Sequence, residues 1–488
     1  MSHNKIKRFD LVIFGAKGDL TKRKLIPAFY QLEKFKKFHK KTKIIGVGRA
    51  TWNKKKFLKI VKKSLKNFMN DKINYKIWKK LKSRIYFCKL DINKTSNFLK
   101  LKKILQSKSK KNIINYFATP PDTYANICKG LASINFNTSN CKIIVEKPIG
   151  SSYKTSKKIH KKINIFFKEK QIFRIDHYLG KETIINLFFL KFLNPIFFNN
   201  WSNKTIDHIQ ITLSEELGVE NRWNYFNSIG QTRDMVQNHL LQIISILAME
   251  TPINLNFKNI QNEKLKVLKS LRIINKKNIN IKTVRGQYSN SNIHGIKIPA
   301  YTEESKICNK SLTETFVAIK INIDNHKWFG IPFYVRTGKK LKKKKSEIVI
   351  VFKSIKFNIF KNNKKNIPKN RLHIRIQPNE GLRLFILNKK PSLNKNIKYK
   401  EIKLSNSYHK IFKKKYIHDA YEKLIFEVIR NKQSLFVSKK EVEQSWKWID
   451  SLMNAWKLKK SKVELYQPGS WGPKSSENLL KKNGYNWY

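Results

Sequence analysis

The sequence predicts an α/β domain built on a parallel sheet, followed by a larger α+β domain whose sheet is mainly antiparallel. Three observations carry this. Up to about residue 176, short apolar runs alternate with helical stretches. Beyond it, runs of alternating apolar and polar residues follow one another with few helices between them. A glycine-containing loop, Gly15-Ala16-Lys17-Gly18, joins the first apolar run to the first helical pattern. The expected division is 1–176 and 177–488.

Asp10–Phe14 reads as a buried strand, and the helical pattern LTKRKLIPAFYQLEKF follows its loop. Lys43–Gly48, Arg84–Leu90, Asn112–Ala118 and Lys142–Glu146 are the next four strands, with helices such as Lys54–Asn70 and Phe98–Gln106 between them. In the second part, Ile206–Glu215, Thr315–Asp324, Glu347–Phe352 and Leu372–Gln377 are expected as strands. Met235–Glu250 and Asp419–Ile429 are expected as helices. The lysine-rich stretches Lys258–Lys282, Lys353–Lys369 and Lys389–Lys415 read as variable excursions, and no internal repeat is visible.

Composition bounds the function. With 40% apolar residues, 31 Phe and 10 Trp in 488 residues, the chain has too much material to bury for a disordered polycation. Lys and Arg number 104 against 32 Asp and Glu, a formal charge of +72. Only 14 of those cations are Arg, whereas phosphate-gripping surfaces favour its bidentate fork. The lysines are spread along the whole chain among Asn and Ile, so they read as compositional drift on a solvated surface. Weak polyanion binding at low salt follows from the charge; specific nucleic-acid recognition does not. Cys88, Cys128, Cys141 and Cys308 form no C-x-x-C pair, so they read as reduced thiols, not as a disulfide frame or a metal site. No signal-peptide pattern or membrane-length apolar run is present, and the expected location is the cytoplasm.

The loop Gly15-Ala16-Lys17-Gly18-Asp19-Leu20 lies at a strand-to-helix junction, where glycine lets backbone approach a pyrophosphate and a helix start supplies N–H donors. A lone G-x-x-G loop reads equally as a plain tight turn, but its place after the first strand of an alternating α/β pattern makes a Rossmann-type dinucleotide domain the expectation. A site for NAD would place a carboxylate at the end of the second strand. The sequence there is Gly46-Val47-Gly48-Arg49; Arg49 also reads as an exposed strand-end cation in a very basic chain, but with no acid present a 2′-phosphate, and hence NADP, is favoured. Lys17 adds a second cation.

Two further clusters are dense in chemistry. In Arg174-Ile175-Asp176-His177-Tyr178-Leu179-Gly180-Lys181-Glu182, a helix starting at Asp176 would put His177 and Lys181 on one face, four residues apart. With Tyr178 beside them, that face offers donors to one anion, while Asp176 is free to orient a histidine elsewhere. In Arg233-Asp234-Met235-Val236-Gln237-Asn238-His239, a histidine precedes an apolar helix. By residue type alone, the first reads sooner as a solvated helix face and the second sooner as a satisfied core histidine.

Motifs in order along nearly the whole chain then narrow the reading: GAKGDLTKRKL, EKPIG, RIDHYLGKE, EELGVENRWNYFNSIGQTRDMVQNHLLQ, RGQY, IPAYTEE, PFYVRTGKKL, QPNEG, DAYEKLIFEVIR and YQPGSWGP. The chain resembles the glucose-6-phosphate dehydrogenases. The resemblance implies oxidation of glucose 6-phosphate to 6-phosphogluconolactone with reduction of NADP, the first step of the oxidative pentose phosphate pathway, by a homodimer or homotetramer. It implies His239 as general base and Asp176 as the carboxylate that orients it. It assigns the substrate phosphate to His177, Tyr178 and Lys181, the sugar hydroxyls to Glu215 and Asp234, and further substrate positions to Lys339 and Lys344. Lys147 would stand between substrate and coenzyme, and Asp91 joins the loop and Arg49 in the coenzyme site. Lys17 stands where the family loop usually carries a small residue.

Two other readings remain open at this stage. One is a relic of the fold that binds polyanions and has lost its activity. The other is a different NADP-linked sugar dehydrogenase. The presence of His239, Asp176 and Lys181 in a chain so heavily replaced by Lys and Asn speaks against the first. The phosphate face speaks against an unphosphorylated substrate.

Overall fold

The computed structural model describes residues 6–69, 71–105, 112–293, 295–304, 311–355, 357, 367–391, 399–412 and 416–488. The chain forms two compact units: Met1–Gly180 with Pro252–Gln261 and His418–Glu443, and Lys181–Thr251 with Asn262–Ile417 and Gln444–Tyr488.

In the first unit, β1 (Phe9–Phe14), β2 (Ile44–Gly48), β3 (Ile85–Lys89), β4 (Asn112–Phe117), β5 (Cys141–Val145) and β6 (Ile172–Arg174) form one sheet in the order β3-β2-β1-β4-β5-β6. Every pairing is parallel. β1 is central and all six of its residues are buried, which is why FDLVIF shows no alternation. The order reverses between β1 and β4, and a crevice opens at the carboxyl ends of the strands at such a reversal. The five strands expected from the sequence are present. β6 is an addition, because three residues ending in Arg174 carry no periodic signal; Arg174 is buried and its guanidinium spans both oxygens of Glu169 at 2.6 and 2.9 Å.

Helices end close to the expected places, at Lys54–Phe68 and Phe98–Leu105. Asn53 starts the first of these by accepting the Lys56 N–H at 2.8 Å. The helix expected after the loop is divided into a π-helical turn, Thr21–Leu25, and an α-helix, Ile26–Lys34; Pro27 has no N–H to give the turn before it. The returning helix Ala420–Ile429, capped by Asp419, buries Leu424, Ile425 and Val428 in the same core as Phe173 and Ile175.

The second unit is built on a nine-stranded sheet. Its members are β7 (Ile206–Ser214), β8 (Thr283–Tyr288), β11 (Phe316–Asn322), β12 (Pro332–Gly338), β13 (Lys345–Phe352), β14 (Arg371–Gln377), β15 (Gly381–Lys389), β16 (Tyr399–Ser405) and β17 (Glu464–Tyr466). The short strands β9 (Ser291–Ile293) and β10 (Ile296–Ile298) make a separate hairpin. The order is β16-β15-β14-β13-β7-β12-β11-β8-β17, antiparallel except for β7 with β12 and β8 with β17. β12 escapes the sequence pattern because all seven of its residues are buried, so it does not alternate.

The stretch 258–282, expected as a variable excursion, holds regular structure. It contains the helix Phe257–Lys269, in which Val267 and Leu268 are buried, so many of its lysines decorate an amphipathic element. The stretches 353–369 and 389–415 lie partly outside the described residues, and β16 occupies part of the latter. Cys88, Cys128 and Cys141 are buried thiols, and burial raises the pKa of each; Cys308 lies outside the described residues. Among the described residues no helix is long and apolar enough to cross a membrane.

Candidate functional site

The first unit carries a cavity of about 570 Å³ at the carboxyl ends of β1, β2 and β3. Gly15 makes its floor possible. Its φ is +94°, and a Cβ there would lie 2.2 Å from the Ala118 carbonyl oxygen, so no side chain fits. The Gly15 and Ala16 N–H groups both donate to Val47 O at 3.1 Å, and Gly18 N–H closes the turn on Gly15 O at 2.9 Å. The wall includes Gly15, Ala16 and Lys17 from the loop, Arg49 after β2, and Asp91 after β3. Gly18, Asp19 and Leu20 do not line it. Gly18 makes the turn, Asp19 pairs with Arg23 at 2.8 Å, and Leu20 packs toward the core.

Trp52, Phe87 and Thr119 also line this cavity, and none is legible in the sequence as a site residue. They come from three different segments and meet only through the parallel register. The donor set fits a dinucleotide with an additional phosphate: Arg49 and Lys17 are both exposed on the wall. The end of β2 carries no acid, and the one wall carboxylate, Asp91, accepts the Asn93 N–H at 3.1 Å. Lys147 follows β5, half-buried, and is not among the lining residues.

The segment after β6 differs from its expectation. His177–Gly180 is a 3₁₀ turn, and Lys181 is extended (φ −72°, ψ 137°) before the helix Glu182–Leu193. The i, i+4 face drawn from an α-helix starting at Asp176 therefore does not exist. Two contacts enforce the tighter turn. Asp176 Oδ1 accepts the Tyr178 N–H at 2.9 Å, and Gly180 packs so closely that a Cβ would lie 2.7 Å from Ala420 O. Asp176 and Tyr178 are buried, and the His177 ring stacks at 6.1 Å on Tyr421. The sequence gives Glu146, at the start of EKPIG, no role of its own. Burial, with the Asp176 carboxylate nearby, pushes its pKa up to about 7, and the Tyr116 hydroxyl donates to it.

In the second unit the parallel pairing of β7 with β12 sets Ser214 beside Gly338, so the residues that follow, Glu215 and Lys339, emerge side by side. They form an ion pair of 2.6 Å in which Lys339 is buried and Glu215 is partly exposed. Lys344 is exposed in the turn before β13, and Lys181 Nζ donates to Gln377 Oε1 at 2.7 Å.

Asp234 and His239 lie on a π-helical stretch, Thr232–Leu240, that runs into the α-helix Leu241–Ala248. The i→i+5 bonding of a π stretch stacks residues five apart, whereas an α-helix would turn them apart by roughly 140°. Gly230, at φ +73°, breaks the preceding helix where a Cβ would strike the Glu314 carboxylate at 2.7 Å. Glu314, missed in the sequence, accepts the Thr232 N–H at 3.0 Å, and Gln231 Nε2 donates to Thr337 Oγ1 at 2.8 Å. The π stretch is thus fixed beside the end of β12. At the far end, Trp201 and Trp328 donate to the carbonyls of Leu247 and Ala248 at 2.9 and 2.8 Å, and buried Lys191 donates to Leu247 and Met249. His239 itself is fully buried.

Comparison with known proteins agrees with this geometry. Residues 12–186 match the family model "Glucose-6-phosphate dehydrogenase, NAD binding domain", and residues 188–488 match "Glucose-6-phosphate dehydrogenase, C-terminal domain". The chain is 53% identical over 480 residues to a glucose-6-phosphate 1-dehydrogenase of Buchnera aphidicola subsp. Schizaphis graminum, covering 98% of this chain and 97% of the relative. It is 46% identical over 478 residues to the enzyme of that name from Dickeya dadantii, covering 98% and 97%. A solved glucose-6-phosphate dehydrogenase in complex with its substrate glucose 6-phosphate superposes with a TM-score of 0.90 at 31% identity, over 100% of both chains. A likeness this complete, along nearly the whole of the sequence, means that the chain belongs to the glucose-6-phosphate dehydrogenase family.

Proposed function

We propose that this chain carries out its family's reaction with the residues described above. The reaction is the oxidation of glucose 6-phosphate at C1 to 6-phosphogluconolactone with reduction of NADP. His239 is the general base: it takes the C1 hydroxyl proton as hydride leaves the same carbon, a task suited to an imidazole at neutral pH. Asp176 orients that imidazole and stabilises its protonated form. His177, Tyr178 and Lys181 hold the substrate phosphate, which does not react but anchors the sugar so that binding energy places C1. Glu215 and Asp234 accept from sugar hydroxyls, while Lys339, Lys344 and Lys147 complete the anionic and polar contacts.

The coenzyme, when bound, supplies the hydride acceptor. Gly15, Ala16, Lys17, Gly18, Asp19, Leu20, Arg49 and Asp91 form or shape its site, with Arg49 on the 2′-phosphate. Residues 1–176 are the coenzyme domain and 177–488 the substrate and dimerisation domain of a cytoplasmic homodimer or homotetramer.

The observation that supports this reading best is the Glu215–Lys339 ion pair beside the π stretch that carries Asp234 and His239. The test is His239→Asn, followed by NADPH absorbance. It lowers kcat by roughly 10²–10⁴ and leaves KM for glucose 6-phosphate near the wild-type value. A wild-type kcat in that variant removes His239 from the mechanism. Absence of glucose 6-phosphate oxidation by the unaltered chain would leave the polyanion-binding relic as the reading.

A further inference from the structure

A second cavity, of about 510 Å³, lies in the second unit between the carboxyl end of the helix Lys439–Lys459, the strand β8 and the helix Ser475–Lys481. It shares no residue with the coenzyme cavity or with the Glu215, Asp234, His239 and Lys339 group. We propose that it is a second anion site, built for a small molecule that carries a chain of phosphate groups.

The wall presents Arg285, Lys459, Lys460, Lys462 and Lys482. Its one carboxylate, Glu464, accepts a hydrogen bond from the Ser475 hydroxyl at 2.6 Å. Most described lysines elsewhere lie exposed on the surface, with buried exceptions such as Lys191 and Lys339. Here the cations surround a concavity whose floor is Trp456, Val284 and Leu479, and a low-dielectric floor focuses the field of the cations above it.

Arg285 is the fixed element. Its guanidinium lies 5.3 Å from the Trp456 ring centre, and it donates to the Ser461 carbonyl. The indole is itself held, donating to Thr283 Oγ1 at 2.9 Å. Nε of Arg285 is buried without a hydrogen-bond partner, and among the described residues no carboxylate pairs with it. Burial accordingly lowers its pKa, against the weaker pull of Glu314. Much of the dehydration that an anion contact demands is already imposed by the fold, and the planar fork is oriented before any ligand arrives.

Size and charge select the ligand. The cavity lies in the range of small-molecule sites, and one phosphate would engage only a fraction of the five cations. A linear polyphosphate can engage Arg285 and the lysines together. Two sources share that chemistry: inorganic polyphosphate and nucleoside polyphosphates.

The experiment is calorimetric titration of the full chain with inorganic tripolyphosphate and, separately, ATP, in about 150 mM NaCl, where exposed surface charge is largely screened. One saturable site per chain is expected. Arg285→Gln should weaken it about tenfold or more, and the double change Lys460→Gln with Lys462→Gln should do the same. The lysine pair leaves the Arg285 contacts in place, so it decides the matter should Arg285→Gln fail to fold. Tighter binding of ATP than of tripolyphosphate identifies a nucleotide as the occupant, and equal binding identifies the inorganic chain. Binding that survives both sets of changes overturns the proposal and leaves diffuse surface attraction. So does binding abolished by Arg49→Ala with Lys17→Ser, which would place the ligand in the coenzyme cavity.

Discussion

Arg49 and Lys17 reach the same cavity from two different loops, and both are exposed to the solvent that a coenzyme phosphate would displace. Arg49→Ala should raise KM for NADP about tenfold and leave KM for NAD nearly unchanged, with Lys17 retaining part of the charge. Adding Lys17→Ser should remove most of the remaining preference. Coenzyme KM values for the two single variants and the double variant separate the roles. An equal loss for NAD and NADP in Arg49→Ala would show that Arg49 does not read the 2′-phosphate. These two cations are legible in the sequence because each sits beside its own local signal, Lys17 in the glycine loop after β1 and Arg49 at the end of β2. Trp52, Phe87 and Thr119 are not, since strand register alone brings them together. Glu314 is hidden for a similar reason: its role depends on Gly230, a residue more than eighty positions earlier. The helix drawn through His177 and Lys181 fails because sequence spacing cannot show a side chain capping its own turn, as Asp176 does at Tyr178.

At the scale of elements, His160 shows how a helix can be tied to a sheet by a histidine that must stay neutral. It lies on the helix Tyr153–Asn164, fully buried, and its Nε2 accepts from Arg174 Nε at 3.2 Å. Burial above all, then the charges of Arg174 and Lys439, push its pKa down to about 2, with the Glu443 carboxylate, 3.6 Å from Nδ1, opposing the shift. The folded-state value is below the unfolded one, so unfolding takes up a proton as the pH falls below about 6.5. The stability that His160 provides is complete above that pH and is lost progressively toward pH 2, at about 1.4 kcal/mol per pH unit. His160→Gln, which keeps an acceptor for Arg174, should flatten the fall in the urea midpoint between pH 7 and pH 5. An unaltered slope would place the acid sensitivity elsewhere. Elements of this kind are legible where burial is one-sided or bounded. β1, β2 and β4 announce themselves as apolar runs closed by breakers, and the helix Ala420–Ile429 by its Asp419 cap. β12 and β6 do not, one buried along its whole length and the other too short to repeat.

Across the whole molecule the charge of +72 outweighs every local pairing. It acts in two opposite ways at low salt. Like charges repel across the folded chain and lower its stability, while the same field draws in glucose 6-phosphate and NADP, both anions. With about 10 Å of screening length at 0.1 M salt, both effects fade over the ordinary experimental range. Raising NaCl from about 0.02 to 0.3 M should therefore raise Tm and lower kcat/KM for glucose 6-phosphate at saturating NADP, with little change in kcat. A neutral sugar is not steered, so kcat/KM for glucose should stay nearly flat over the same range. Simple competition by chloride at the phosphate anchor would also raise KM, and the anion identity separates the two. Steering depends on ionic strength, so sulfate and chloride matched in ionic strength give one curve. Occupancy depends on the anion, and sulfate, the closer mimic of a phosphate, would then inhibit more strongly. Two separate curves, or a salt response equally steep for glucose, would show that the lysine surface takes no part in substrate capture.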